Sequence, residues 1–241
     1  MTSPSGEIIA FAHRGARAER PENTIEAFTR ALELGANGLE SDAWITADGE
    51  VVLDHDGVVG PIWRRRAISA TPRGELPAHI PTLAELYRVC GTDFELSIDV
   101  KDPAALLPLV EVARDVGAAE RLWLCHNDWR PMAAWHRQVP ECHLVESSNL
   151  AWMKEGLAAR VSALSAAGLD ALNLHRSQWD RDAVREVHAV GLRAFGWDAQ
   201  TPEDLAHLLD VGVDAVYSDH VERMVRALGG RGPAARQVPP A

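Results

Sequence analysis

The chain has 241 residues, 46% of them hydrophobic, and its 24 basic and 35 acidic residues give a net charge of −11. This length and apolar fraction suit one globular domain with a sizeable core. The acidic balance argues against a general nucleic-acid binder, because such proteins carry excess positive charge for the phosphate backbone. An acidic protein that binds an anionic substrate needs local cations or a metal ion.

The chain shows no feature of a targeting or membrane-spanning segment. Its start, M-T-S-P-S-G-E, lacks the regions of a signal peptide, and no apolar run reaches bilayer-spanning length. Cys90, Cys125 and Cys142 form no C-x-x-C pair, which is typical of reduced, buried thiols. We therefore expect a cytoplasmic protein without stable membrane insertion. Residues 229–241, rich in Gly and Pro, are expected to be disordered.

The chain opens with a strand and a helix. Residues 8–12 are continuously apolar, as in a buried strand, and they end at His13. Asn23 and Glu26 predict a helix N-cap with a capping box, and Gly35 predicts the end of that helix.

A second strand, a short extra strand and a long loop follow. Residues 39–44 predict the second strand, and residues 50–53 predict the extra strand after a D-G turn. Residues 57–81 are irregular and rich in proline, which predicts a loop over one end of the fold. The three arginines at 64–66 are interpreted as a solvated face of this loop.

The rest of the chain alternates regularly between helix and strand. Helices are predicted at residues 82–90, 103–116, 131–138, 152–167, 181–190, 201–211 and 221–228, and strands at 94–100, 122–125, 143–145, 171–174, 193–196 and 215–217. Strict alternation indicates a parallel sheet, and eight strand–helix units indicate closure. The predicted fold is an α/β protein, a single-domain (β/α)8 TIM barrel over residues 1–228, with the extra strand and loop after strand 2.

A quasi-repeat supports the barrel. G-A-N-G-L-E-S-D at 35–42, G-L-D-A-L-N-L-H at 168–175 and G-V-D-A-V-Y-S-D at 212–219 share a glycine, a polar turn residue, an apolar strand and a final polar residue. In a barrel all such strand ends meet on one face.

Polar residues collect at the ends of the predicted strands. They are His13, Arg14, Glu40, Asp42, His55, Asp99, Lys101, His126, Asn127, Glu146, His175, Trp197, Asp198 and Asp219. Glu40 and Asp42 are two residues apart and therefore point to the same side of a strand, as do Asp99 and Lys101. Converging carboxylates without cysteine predict one divalent cation, Mg²⁺ or Ca²⁺.

The other candidates suit phosphate chemistry. His13 and His55 form a candidate acid/base pair, because histidine titrates near neutral pH. Arg14 and Lys101 suit contacts with phosphate oxygens. A metal ion and Arg14 offset charge on a transferring phosphoryl group, and the histidines move protons. The set predicts cleavage of a small phosphodiester.

Motifs spread over residues 8–228 match one family pattern. They are H-R-G at 13–15, P-E-N-T at 21–24, G-L-E-S-D at 38–42, T-A-D-G at 46–49, V-V-L-D-H-D at 51–56, I-D-V-K at 98–101, Trp197 and G-V-D-A-V-Y-S-D at 212–219. On these motifs the chain resembles the glycerophosphodiester phosphodiesterase family.

The resemblance implies a metal-dependent barrel hydrolase that releases glycerol 3-phosphate and an alcohol. It also implies roles for six residues: acid and base for His13 and His55, metal ligands for Glu40 and Asp42, and phosphate contacts for Arg14 and Lys101.

The chain departs from the family pattern near the substrate. Asp99, the expected third metal ligand, stands where the family usually has glutamate. Asp198 replaces a common hydroxyl residue, and His220 replaces a common proline. Glu146 and Trp197 are further candidates for substrate contact.

Three alternatives remain open. A lysophospholipase D-like activity keeps the site and changes the substrate, and exposed apolar surface beside the pocket would favour it. A catalytically inactive barrel used for binding is disfavoured by the intact set of His13, Glu40, Asp42 and His55. A metal-dependent sugar isomerase shares the barrel and the metal but does not explain the H-R-G motif. Fold alone does not choose among them.

Overall fold

Strands and helices alternate along residues 7–229, the part of the chain that the computed structural model describes. In chain order the strands are β1 (Ile9–Ala12), β2 (Gly38–Ile45), β3 (Val51–Leu53), β4 (Val58–Val59), β5 (Arg66–Ala67), β6 (Glu95–Val100), β7 (Leu122–His126), β8 (His143–Ser147), β9 (Ala171–His175), β10 (Arg193–Trp197) and β11 (Ala215–Ser218). The α-helices are α1 (Ile25–Glu33), α2 (Leu83–Cys90), α3 (Leu106–Asp115), α4 (Trp129–Gln138), α5 (Leu157–Ala166), α6 (Arg181–Ala189), α7 (Pro202–Val211) and α8 (Val221–Ala227). The tail that is expected to be disordered lies, apart from Gly229, outside the described residues.

Eight parallel strands close into a barrel. The order around it is β1, β11, β10, β9, β8, β7, β6 and β2, and β2 pairs back with β1. The extra strand β3 pairs antiparallel with β2 outside the closed ring. The predicted (β/α)8 barrel with one short extra strand is therefore confirmed. None of the helices in residues 7–229 is long and apolar enough to cross a bilayer.

The cap of α1 differs from the prediction. Thr24, not Asn23, is the N-cap, and its side chain accepts the backbone N–H of Ala27 at 3.2 Å. Asn23 has φ 54° and is buried, where its side-chain oxygen accepts the hydroxyl of Ser41 at 2.7 Å. Both residue types cap helices, so the local sequence cannot choose between them, and burial against β2 decides.

Two longer segments also differ from the prediction. The helix expected from residue 152 begins at Leu157, because Gly156 has φ 85° and Leu150–Trp152 form a separate 3₁₀ turn. The loop at 57–81 contains the β4–β5 hairpin and three 3₁₀ turns. The arginines at 64–66 are exposed, as predicted.

The barrel interior changes from apolar to polar along its axis. Aromatic side chains fill the part toward the amino-terminal ends of the strands. Phe11 stacks on Tyr217 with 4.8 Å between the ring centroids, and Phe195 lies beside them. Above them, the Ser97 hydroxyl lies 3.1 Å from the Tyr217 hydroxyl and 3.2 Å from the Cys125 sulfur. These three side chains point into the barrel, because strand residues alternate inward and outward. They form the floor of the space at the carboxyl ends of the strands.

The polar turn residues of the quasi-repeat tie neighbouring strands together. Asn37, Asp170 and Asp214 each accept a backbone N–H from an adjacent segment, at 2.7, 2.8 and 2.8 Å. The donors are Ala10, Leu144 and Ala194. Each repeat unit therefore satisfies a backbone group at the amino-terminal rim of the barrel, which explains the polar residue two positions after the first glycine of each repeat.

Replacing His188 by glutamine is expected to lower the free energy of unfolding by about 1 kcal/mol at acid pH. The hydrogen bond between His188 Nε2 and Asp214, 2.8 Å long, raises the pKa of His188, and the Asp214 charge adds to this against the opposing effect of burial. A raised folded-state pKa stabilises the protein fully below the unfolded value of 6.5, and the benefit disappears as the pH rises through the folded-state value. Urea unfolding at about pH 5.5 and about pH 8.5 checks this. An equal loss at both pH values would contradict it.

Candidate active site

The H-R-G and P-E-N-T motifs form one structural unit after β1. Gly15 has φ 77°, and a Cβ there would lie 2.7 Å from the backbone carbon of Ala27 at the start of α1, so only glycine fits. The carbonyl of Arg14 accepts the N–H of Asn23 at 3.1 Å. Arg14 and Asn23 both hold positive φ, 53° and 54°. A positive φ is unfavourable for residues other than glycine, and such residues are found mainly at functional sites. Here this backbone directs the end of β1 into the mouth of the barrel.

His13 is held by the last strand of the barrel. Its Nδ1 lies 2.7 Å from Asp219 Oδ1, and its Nε2 lies 3.9 Å from Glu40 Oε2. Burial lowers the pKa of His13, but the charges of Glu40 and Asp219 and the Asp219 hydrogen bond outweigh burial and raise it. The ring is therefore oriented by Asp219 and biased toward its protonated form.

Three carboxylates converge beside His13. Glu40 and Asp42 share one side of β2, and Asp42 is in register with Asp99 on β6. Burial raises the pKa of Glu40 to about 7, with further increases from Asp42 and Asp99, although His13 and the N–H that Arg14 donates at 2.9 Å act in the opposite direction. The three carboxylates therefore concentrate negative charge beside His13.

Carboxylates hold both predicted phosphate-binding cations. Lys101 Nζ lies 3.0 Å from Asp42 Oδ1 and 2.8 Å from Asp99 Oδ2. Burial lowers the pKa of Lys101, but these two charges outweigh it and raise the value. The guanidinium of Arg14 donates to Glu22 at 2.8 Å, and its Nε lies 3.5 Å from Asp42 Oδ2. Both cations are thus fixed at the cavity wall.

A turn after β3 carries His55. Asp54 accepts the N–H groups of Asp56 and Gly57 at 3.0 and 2.9 Å, which shapes this turn. The Nδ1 of His55 lies 2.9 Å from Asp56 Oδ1, and 41% of the His55 side chain is exposed. The other ring nitrogen, Nε2, is free to contact a molecule in the cavity that His55 lines.

One cavity of about 330 Å³ opens at the carboxyl ends of the strands. Eight predicted site residues line it: His13, Arg14, Glu40, Asp42, His55, Asp99, Lys101 and Trp197. A second cavity of about 280 Å³ shares Asp99, Lys101 and Trp197 with the first and extends to Trp152. The convergence of strand ends that the sequence predicts is therefore present.

The structure does not bring Glu146 into this cavity. Val145 faces the barrel interior and Ser147 lines the cavity, so Glu146 between them points outward. It is 1% exposed and pairs with the buried Arg160 at 2.5 Å. Its assignment as a substrate contact is corrected: it is half of a buried ion pair between β8 and α5.

Several residues of the cavity have no role assigned from the sequence. Asp219 orients His13, and Arg17 lies 3.9 Å from Asp219 and 2.9 Å from Glu22. Gln200 accepts the N–H of Asp219 at 3.0 Å. Closure of a barrel places the last strand beside the first. The final aspartate of G-V-D-A-V-Y-S-D could therefore have been predicted to lie next to His13.

Oxygen donors outnumber permanent cations at the cavity wall. The cavity is lined by five carboxylates (Glu40, Asp42, Asp99, Asp198 and Asp219) against three permanent cations (Arg14, Arg17 and Lys101). Asp42 Oδ2 is buried and accepts no hydrogen bond. Within residues 7–229, no group of three or more His, Cys, Asp or Glu side chains is arranged to hold a metal ion. Lys101 Nζ lies between Asp42 and Asp99. Oxygen donors of this kind suit Mg²⁺ or Ca²⁺.

The fold and the cavity define a barrel enzyme with its site at the carboxyl ends of the strands. The chain belongs to the glycerophosphoryl diester phosphodiesterase family, whose family model matches residues 13–223. The resemblance found in the sequence is therefore confirmed.

Curated relatives match along most of the chain, and solved structures share its fold. The glycerophosphodiester phosphodiesterase of Caldanaerobacter subterraneus is 28% identical over 251 residues, which cover 91% of this chain and 97% of the relative. The glycerophosphodiester phosphodiesterase structure from Thermotoga maritima has a TM-score of 0.78 at 23% identity and covers 92% of this chain and 98% of its own. A phosphodiesterase from Oleispira antarctica, solved with the product sn-glycerol-3-phosphate, has a TM-score of 0.76 at 22% identity and covers 91% and 96%. Both structures share the barrel fold.

Proposed function

We propose that this protein hydrolyses glycerophosphodiesters to glycerol 3-phosphate and an alcohol, with a divalent cation held by Glu40, Asp42 and Asp99. The observation that carries the proposal is the pairing of His13 with Asp219 beside this carboxylate cluster, in a cavity that also contains Arg14 and Lys101. The printed names of the relatives and the product found in the Oleispira antarctica structure support the substrate class.

His13 acts as the proton donor to the leaving alkoxide. Asp219 engages Nδ1, which leaves Nε2 to face the cavity. The charges of Glu40 and Asp219 raise the pKa of His13 against the effect of burial, which favours the protonated ring. Its neighbours thus supply both the orientation and the charge state that a general acid needs.

His55 acts as the proton acceptor for the nucleophile. Its Nδ1 is engaged by Asp56, and the exposed ring leaves Nε2 able to accept a proton. Arg14 and Lys101 bind the non-bridging oxygens of the phosphodiester. When bound, the divalent cation supplies further positive charge against the transferring phosphoryl group.

Metal removal tests the proposal. Metal-stripped protein is expected to release no glycerol 3-phosphate from glycerophosphocholine or glycerophosphoethanolamine, and Mg²⁺ or Ca²⁺ is expected to restore release. Asp99→Asn is expected to raise the ion concentration needed for half-maximal activity by about tenfold or more, because one charged ligand is lost. Asp210→Asn, an exposed surface change on α7, is the matched control.

Metal-independent release would contradict the role of the carboxylates. No turnover of any diester by protein supplied with either ion would contradict the reaction and favour a barrel used only for binding.

A lysophospholipase D-like activity is the second candidate. The observation that favours it is the exposure of Trp152 and Trp197, 63% and 41%, at the wall of the adjoining cavity. Exposed aromatic surface beside a phosphodiester site suits an acyl chain. Cleavage of lysophosphatidylcholine without cleavage of glycerophosphocholine, in the same assay, would favour this candidate over the first.

The cysteines support a cytoplasmic location. Cys90, Cys125 and Cys142 are all free thiols. Burial raises the pKa of Cys90 to about 11 and that of Cys142 to about 12, which keeps both thiols protonated and unreactive. Free thiols are typical of reducing compartments.

A further inference from the structure

The loop between His55 and α2 ends in an exposed apolar tip. Ile62 and Trp63 are 81% and 87% exposed, more than any other large hydrophobic side chain of the described chain. They belong to the 3₁₀ turn Ile62–Arg64, which the hydrogen bond from the N–H of Arg64 to the carbonyl of Pro61 closes at 2.7 Å. Two large apolar side chains held side by side in water indicate a contact surface.

Arginines follow the apolar tip directly. Arg64, Arg65 and Arg66 are all exposed. Arg66 pairs with Glu75 at 2.6 Å, whereas Arg64 and Arg65 form no ion pair within residues 7–229. The chain as a whole carries a net charge of −11, so this tip is a local exception to an acidic surface. We call residues 62–65 the Ile62–Arg65 tip.

The tip extends from a hairpin that packs over its own apolar cluster. The hairpin pairs Val58 with Ala67 and Val59 with Arg66. A Cβ on Gly60, which has φ 95°, would lie 2.8 Å from the carbonyl of Arg64, so glycine allows the tight turn. Beneath the hairpin lies a separate apolar cluster made of Val52, Val59, Ile68, Leu76 and Ile80. The loop therefore buries its own core and still leaves Ile62 and Trp63 outside it.

The tip lies at the same end of the barrel as the active site. The hairpin starts at Val58, three residues after His55. The hydrogen bond from His55 lowers the pKa of Asp56, and the charges of Arg65 and Arg14 lower it further. Arg65 is thus close enough to Asp56 to act on the same carboxylate as the active-site Arg14.

We propose that the Ile62–Arg65 tip docks on the surface of an anionic lipid bilayer. Ile62 and Trp63 enter the headgroup region, where tryptophan prefers to lie, and Arg64 and Arg65 contact lipid phosphates. The acidic remainder of the chain is repelled by the same surface, so the protein approaches with this end first. A stable protein dimer buries about 800 Å² on each partner, more than a single 3₁₀ turn supplies, and this favours a bilayer over a second copy.

Vesicle sedimentation tests the proposal with the full chain. Wild-type protein is expected to bind phosphatidylcholine vesicles containing about one-third phosphatidylglycerol several-fold more tightly than pure phosphatidylcholine vesicles, and to lose binding as salt is raised. Arg64→Gln and Arg65→Gln are each expected to weaken binding to the anionic vesicles about fivefold. Ile62→Ser with Trp63→Ser is expected to weaken it about tenfold or more.

Two controls keep the test specific. Leu107→Ser removes an exposed apolar side chain from α3, and Arg181→Gln removes an exposed cation from α6; both are expected to leave vesicle binding unchanged. The Arg64→Gln variant and the double variant Ile62→Ser with Trp63→Ser are expected to hydrolyse soluble glycerophosphocholine as the wild type does, so vesicle binding and the proposed function succeed or fail separately.

Three results would overturn the proposal. The first is the absence of binding to anionic vesicles at low salt. The second is equal binding by wild type and tip variants. The third is self-association of the wild type that Trp63→Ser abolishes, which would assign the tip to a second copy of the chain.

Discussion

Replacing His13 by alanine is expected to lower kcat for glycerophosphodiester hydrolysis by about 10²–10⁴-fold, the usual contribution of a general acid. The reason is local: His13 Nε2 faces the cavity, Asp219 orients the ring, and the charges of Glu40 and Asp219 raise its pKa against the effect of burial. Steady-state hydrolysis of glycerophosphocholine at saturating metal measures the loss. His55→Ala is expected to cause a loss of similar size, because the proton acceptor would be missing.

The matched control is His79→Ala, since His79 is exposed in the loop before α2 and does not line the cavity. This variant is expected to keep wild-type kcat. Circular dichroism is expected to show unchanged folds for all three variants. A near-normal kcat in His13→Ala or His55→Ala would contradict the role of that histidine as proton donor or proton acceptor.

Replacing Arg160 by alanine is expected to lower the free energy of unfolding by about 3–5 kcal/mol at about pH 8, because it leaves the Glu146 carboxylate buried without a partner. Burial raises the pKa of Glu146 to about 7 even beside Arg160, whose charge acts in the opposite direction. A carboxyl with a raised folded-state pKa is neutral in the folded protein at about pH 5, so the loss is expected to be smaller there. Urea unfolding at the two pH values measures the difference.

Arg181→Ala is the control, because its pair with Asp210 is 67% exposed on both sides. It is expected to change stability by less than about 1 kcal/mol. An Arg160→Ala loss as small as this would contradict the buried ion pair. Glu146→Gln is expected to keep wild-type KM. A large rise in KM would instead indicate that Glu146 contacts the substrate.

The sequence alone determined the barrel and predicted most of the polar residues that line its cavity. Short apolar strands, helix-ending glycines and capping residues are signals that act over a few neighbouring residues, and they recur along this chain. Because the carboxyl ends of parallel strands meet on one face, the polar residues after each strand could be collected into one cavity before any contact was known. Glu40, Asp42 and Asp99 were found in this way, and so were His13 and Lys101.

Only the tertiary structure decided which strand residues face inward and which distant groups meet. Glu146 was expected at the site because the strand at 143–145 looked too short to include it, but β8 runs to Ser147 and turns Glu146 outward. The choice of Thr24 over Asn23 as the cap of α1 depended on burial of Asn23 against β2. The bond from His13 to Asp219 joins residues 206 positions apart. Local sequence signals reach only a few residues, whereas such contacts exist only once the barrel has closed.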